Sequence, residues 1–291
     1  SDPDSLYLPG GTKMQHSENY WNTKDNLKLF GQEWKPDGKQ KAAIAMIHGL
    51  GEHSGRYEPV AEIFTQAGYS LTAFDLRGHG KSEGVRGHAP SYDALMDDIS
   101  HNIELAKEHF PGLPVFLYGH SLGGNLGLYY CLSQKPDIKG AIITSPGLGT
   151  SEPVAPVKLA LGKLLYNLLP STQMDNGLDR TGLSRDPEVE KKYSADPLVH
   201  GKISAHMAMD LFKYGQYSLD HAAEFPVPLL LMQGTADRIV NPRLTKEFAN
   251  AAPLSKITYK EWEGFYHELH NEPEKAQVLK TMLDWMELEL K

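Results

Sequence analysis

Three side chains lying far apart in this sequence are of the types that together make an alcohol nucleophilic. Ser121 sits in Gly119-His120-Ser121-Leu122-Gly123. A serine hydroxyl is a weak nucleophile until an imidazole takes its proton, and the imidazole needs a carboxylate to hold its tautomer. The pentapeptide follows the apolar run Pro114–Tyr118 and precedes the helix-like Leu122–Leu132. In that setting, glycines two residues either side of Ser121 let the backbone turn sharply and push the hydroxyl out at the end of a strand. The Leu122 peptide N–H then lies at a helix N-terminus, aimed where an oxyanion develops. An ordinary glycine-rich turn is the competing reading.

On a strand–elbow–helix unit of this kind the carboxylate follows the serine along the chain and the histidine comes last. Gln233-Gly234-Thr235-Ala236-Asp237 follows the run Val227–Met232, which makes Asp237 the candidate acid. Capping the helix after Pro242 is its alternative role. Gly264-Phe265-Tyr266-His267 follows Lys256–Trp262, so His267 is the candidate base, with His270 as its competitor. A second oxyanion donor is expected at the Leu50 backbone N–H, in the turn His48-Gly49-Leu50-Gly51 after Ala42–Ile47. A glycine turn beside a packed His48 is the alternative. The chemistry these residues support is two-step acyl transfer, which requires no metal or organic cofactor.

These residues need a scaffold that brings strand ends together. Short apolar runs at Ala42–Ile47, Tyr69–Phe74, Pro114–Tyr118 and Ile138–Thr144 alternate with helical spacing at Glu58–Ala67, Ser91–Phe110 and Leu122–Leu132. The rhythm resumes at Val227–Met232 and Lys256–Trp262 and ends with the helix Pro273–Leu290. Buried strands alternating with helices predict an α/β fold, its mostly parallel sheet covered by helices on both faces. A hairpin from about Tyr20 to Trp34, turning at Thr23–Asn26, precedes it. Residues 1–18 read as a polar tail, and 19–147 with 225–291 as the core. Residues 148–224 hold no convincing strand and read as a helical cap insertion, with helices at Val154–Leu169 and Ser204–Tyr217 around a polar stretch.

Composition narrows the function. The 291 residues carry 29 basic and 37 acidic side chains, a formal charge of −8, which argues against a nucleic-acid partner. One cysteine excludes an intramolecular disulfide and a cysteine-rich metal site. No apolar run reaches the ~18–20 residues of a membrane span, and no secretory leader is visible, so a cytoplasmic protein is expected. Gly80-Lys81-Ser82 lacks the earlier glycine of a phosphate loop, because that position is Asp75. His267-Glu268-Leu269-His270 is one residue short of the zinc-binding H-E-x-x-H. Cys131 reads as a small buried residue.

The same stretches resemble the α/β-hydrolase superfamily and, more narrowly, the monoacylglycerol lipase and lysophospholipase family. The narrower likeness rests on His48-Gly-Leu-Gly-Glu-His-Ser-Gly-Arg-Tyr57, Asp75-Leu-Arg-Gly-His-Gly-Lys-Ser-Glu-Gly84, Gly119-His-Ser-Leu-Gly-Gly124, Tyr193-Ser-Ala-Asp-Pro-Leu198, Gln233-Gly-Thr-Ala-Asp-Arg238 and Glu263-Gly-Phe-Tyr-His-Glu-Leu-His270. It implies a serine hydrolase, cytosolic or membrane-associated, that cleaves monoacylglycerols. It also implies that Glu52, Arg56 and His270 line the alcohol subsite, joined by the Tyr193 hydroxyl from the cap. A structural ion pair between Glu52 and Arg56 is the plainer alternative.

In the cap, Val154, Val157, Leu161, Leu164, Leu165, Leu168 and Leu169 recur near helical spacing. Most of this stripe is expected to pack on the body, with a minority touching an acyl chain or a lipid surface. Related alternatives are a lysophospholipase or general carboxylesterase. A non-catalytic binding module on the same fold is the alternative of a different class.

Overall fold

The computed structural model describes residues 14–149 and 153–291. Of the expected tail, 1–13 lie outside the described residues. Residues 14–18 are not tail but the first part of strand β1 (Met14–Asn22), which pairs antiparallel with β2 (Lys28–Pro36). The turn between them falls at Thr23–Leu27, where Thr23 Oγ1 accepts the Leu27 N–H at 2.9 Å.

The sheet is built from β3 (Ala42–Ile47), β4 (Tyr69–Phe74), β5 (Val115–His120), β6 (Gly140–Thr144), β9 (Leu229–Gly234) and β10 (Ile257–Trp262) beside that hairpin. Its order is β1-β2-β4-β3-β5-β6-β9-β10, parallel throughout except at β2. Every residue of β3, β4, β5, β6 and β9 is buried, as unbroken apolar runs covered on both sides require. The period of two then sorts side chains into two cores. Ala43, Ala45 and Ile47 join one with α2 (Tyr92–His109) and α3 (Leu122–Gln134). Ala42, Ile44 and Met46 join the other with α1 (Glu58–Gln66) and α8 (Lys275–Glu289).

Between β6 and β9 lie α4 (Pro156–Leu168), α5 (Pro187–Ala195) and α6 (Ala205–Asp220). A short antiparallel pair, β7 (Gln173–Asp175) with β8 (Lys202–Ser204), joins them, where the sequence showed no strand. Three residues per strand are too few to give an alternating pattern. Helix α5 was hidden in the polar stretch. Its signal is Asp186-Pro187: the Asp186 carboxylate accepts the Glu188 N–H at 3.0 Å and proline opens the helix.

The leucine stripe of α4 is placed differently from the expectation. Only Gly162 is buried in this helix, where it sits against Met209 of α6. Val157 (79% exposed), Leu164, Leu168 (67%) and Leu169 face outward. The helix rests on α6 rather than on the body, so one face is all it can bury.

Candidate active site

Strand β5 ends at His120, and Ser121 takes φ 57° and ψ −114° before α3 begins. Left-handed backbone in a residue with a Cβ is strained and survives only where packing fixes it. Here a Cβ at Gly119 would strike the Gly123 carbonyl, and one at Gly123 the Ile47 carbonyl. The glycines thus let three backbone segments close on the turn. The Ser121 N–H donates to Thr144 O (3.0 Å), and its carbonyl accepts from Asn125 and Gly147.

The Ser121 hydroxyl lies 2.9 Å from His267 Nε2, and His267 Nδ1 lies 2.8 Å from Asp237 Oδ2. The imidazole therefore donates to the carboxylate through Nδ1 and accepts from the serine through Nε2. Asp237 follows β9 and is itself held: Oδ1 accepts the Ile239 and Val240 N–H groups, and Oδ2 accepts Gln233 Nε2. It does not cap the following helix, α7 (Pro242–Ala251). Asn241 does, through Arg243 N–H at 3.0 Å. Ser145 Oγ donates to the His267 carbonyl at 2.7 Å and holds the loop that carries this imidazole. Burial works against a charged imidazole, but the Asp237 carboxylate, then Glu268 and Glu52, outweigh it and hold His267 above its ordinary range.

His270, the competing histidine, makes no hydrogen bond to Ser121. It is buried, stacks on Tyr57 with ring centroids 4.9 Å apart, and is pushed down mainly by desolvation. His48 is packed: Nε2 accepts the Leu76 N–H and Nδ1 faces the Gly49 carbonyl. Leu50 and Leu122, the expected oxyanion donors, both line the cavity at Ser121. A Cβ at Gly49 would lie 3.2 Å from Ser121 Cβ, so the turn after β3 packs directly on Ser121.

That cavity has a volume of about 860 Å³. Its lining includes the apolar Leu159, Leu161, Met209, Leu211, Phe212 and Val240 and the polar Glu52, His120, Asn176, Tyr193 and Glu268. Of the four residues expected at the alcohol subsite, Glu52 and Tyr193 line the cavity, whereas Arg56 and His270 lie behind that lining. Arg56 forms the ion pair with Glu52 (Nη1 to Oε1, 2.6 Å) and a bidentate pair with Glu268 (2.7 and 2.8 Å). Its guanidinium carbon lies 4.7 Å from the Tyr193 ring centroid.

Ligand atoms of Glu52, His120 and Glu268 approach within 4.8 Å of one another. The carboxylates are already engaged by Arg56, Tyr57 OH and the Gly49 N–H, a donor set of an ion pair rather than an open metal site. In the sequence, Glu268 stands out only within a motif one residue short of zinc binding, and nothing singles out His120 within the elbow. Their signal is adjacency: each flanks a member of the relay. Gly80-Lys81-Ser82 closes a loop on Asp75, whose Oδ2 accepts the Lys81 N–H, and Cys131 is buried with its thiol pushed up by desolvation.

A mostly parallel sheet with a serine elbow after β5, an acid after β9 and a histidine after β10 defines an α/β hydrolase. The chain belongs to the family described as serine aminopeptidase, S33, whose profile matches residues 38–274. It is 33% identical to a monoacylglycerol lipase of Mycolicibacterium smegmatis over 96% of this chain and 99% of that protein. The crystal structure of a Paleococcus ferrophilus monoacylglycerol lipase superposes with a TM-score of 0.79 at 32% identity, covering 95% and 99% of the two chains. An abhydrolase domain-containing protein of Dictyostelium discoideum is 41% identical over 91% of this chain, which spans 28% of that protein's length.

Proposed function

We propose that this protein hydrolyses monoacylglycerols to fatty acid and glycerol through an acyl-enzyme on Ser121, with residues 148–224 as its cap. The observation that carries the reading is the Asp237–His267–Ser121 relay at a cavity whose lining holds both apolar and polar side chains. Its lipase relatives match along nearly their whole length, which supports the substrate class.

In this reading, His267 takes the Ser121 proton as Oγ attacks the ester carbonyl. The Leu50 and Leu122 N–H groups hold the oxyanion, each such donor being worth about 3–4 kcal/mol. His267 then protonates the departing glycerol oxygen. Water, deprotonated by the same imidazole, releases the acid. The acyl chain lies between α4 and α6, gaining ~0.8 kcal/mol per buried methylene. Glu52 and Tyr193 meet the glycerol hydroxyls directly, and Arg56 and His270 support them from behind. The outward leucines of α4 rest on a lipid surface, which delivers substrate to the cap. No helix among the described residues is long and apolar enough to cross a membrane.

The test compares 1-oleoylglycerol, oleoyl-lysophosphatidylcholine and p-nitrophenyl butyrate. The highest kcat/KM is expected for the monoacylglycerol. Equal or better turnover of the lysophospholipid or the short ester contradicts the substrate assignment.

A further inference from the structure

We propose that Glu268 is a positioning residue which, through Arg56 and Glu52, sets the base and the oxyanion turn relative to one another. The inference rests on the acyl-transfer reading of the relay above. His267 and Leu50 stand on loops after different strands, β10 and β3, yet an oxyanion is stabilised only if both hold their places within a fraction of an ångström. Glu268 is the residue after the base. Its two oxygens accept the Arg56 fork at 2.7 and 2.8 Å, and Oε1 also accepts Asn271 Nδ2 at 3.0 Å. Arg56 Nη1 donates onward to Glu52 Oε1, and Glu52 Oε2 accepts the N–H of Gly49 at 2.8 Å and the Tyr57 hydroxyl at 2.7 Å. Gly49 immediately precedes Leu50. One unbroken line of charge-assisted hydrogen bonds therefore runs from Glu268, the residue after His267, to the N–H of Gly49, the residue before Leu50.

Burying two carboxylates and a guanidinium costs several kcal/mol per ion before pairing, and apolar packing would anchor two loops as well. What a bidentate fork adds is geometry, because it fixes direction as well as distance. Tyr193 packs against the arrangement: its ring centroid lies 4.7 Å from the Arg56 guanidinium carbon and 5.1 Å from that of Arg180.

The line also carries charge. Two carboxylates and one guanidinium leave a net negative charge beside the imidazole. The groups facing His267 are Asp237 from the loop after β9, Glu52 and Arg56 from the segment after β3, His120 from β5, and Glu268 and His270 from its own segment. Burial pushes His120 and His270 down, so neither opposes the carboxylates as a cation at neutral pH. Glu268 thus favours the imidazolium that forms in each step, as well as holding the loop.

The experiment uses the full chain as wild type, Glu268→Gln and Glu268→Asp. The His267 imidazole is titrated by nuclear magnetic resonance, and kcat and KM for p-nitrophenyl butyrate are followed against pH. In Glu268→Gln the His267 midpoint should fall by about half to one unit. Its kcat should fall by about 10- to 100-fold, with KM within about twofold. Glu268→Asp keeps the charge but is too short for the fork, so it should lose kcat and leave the midpoint in place. An unmoved midpoint in Glu268→Gln, or full kcat in Glu268→Asp, overturns the proposal. So does a loss of activity that only tracks the unfolded fraction seen by circular dichroism. Failure of the wild type to cleave monoacylglycerol would sink the substrate assignment alone, since the imidazole titration is still read.

Discussion

Ser121 holds a conformation that costs energy, and the residues around it explain why it is kept: φ 57° turns the hydroxyl toward His267 Nε2 while α3 starts behind it. Replacing Ser121 with Ala should lower turnover by roughly 10⁶-fold and leave circular dichroism unchanged. Asp237→Asn should lower kcat by roughly 10⁴-fold, because an amide facing Nδ1 favours the wrong tautomer. The pH dependence follows from the field on His267. Only the neutral imidazole accepts the serine proton, and its carboxylate neighbours hold it protonated to higher pH than an ordinary histidine. The acid limb of kcat/KM should therefore have its midpoint above about 6.5, read from a pH–rate profile. At this scale the relay was legible in the sequence because each member stands beside a glycine turn after an apolar run. The placement of Arg56 and His270 was not, since it depends on which side chains they meet across the fold.

Elements position these residues through close backbone approach. Gly123 lets α3 start against the Ile47 carbonyl at the end of β3, just before the turn that holds Leu50. Gly123→Ala should cost about 1–3 kcal/mol in urea unfolding and lower kcat, since the overpacked turn has to shift. Strands β3 and β4 were legible to the residue, as unbroken apolar runs between turns. Helix α5 and the β7–β8 pair were not, because short polar elements have little periodicity to read. Helix α4 was legible as a helix while its facing was not: a leucine stripe looks the same whether it meets a core, an acyl chain or lipid. Leu164→Ser with Leu168→Ser should weaken binding to phosphatidylcholine vesicles at least about tenfold, given ~1.5–3 kcal/mol per leucine. Turnover of a soluble short ester should stay unchanged.

Across the whole molecule, the β1–β2 hairpin and the loop after β4 are joined by a buried charge. Arg77 donates to Asp98 at 2.7 and 3.0 Å and to Asp25 at 2.7 and 3.0 Å. Arg77→Ala strands Asp98 in the core and should cost about 3–5 kcal/mol, seen as a lower Tm by calorimetry. Ser121 should remain reactive below that Tm, because the relay lies elsewhere in the sheet. The parallel architecture was legible from the alternation of runs alone, but the strand order was not, since pairing between distant segments leaves no local signature. Asp237 and His267 should make the Ser121 oxygen nucleophilic, and a fluorophosphonate ester reads that reactivity directly. Peptide mapping by mass spectrometry should find a single adduct, on Ser121, formed at least about 10³-fold more slowly in His267→Ala. A folded wild-type protein that stays unlabelled, or labels at another residue, contradicts the account.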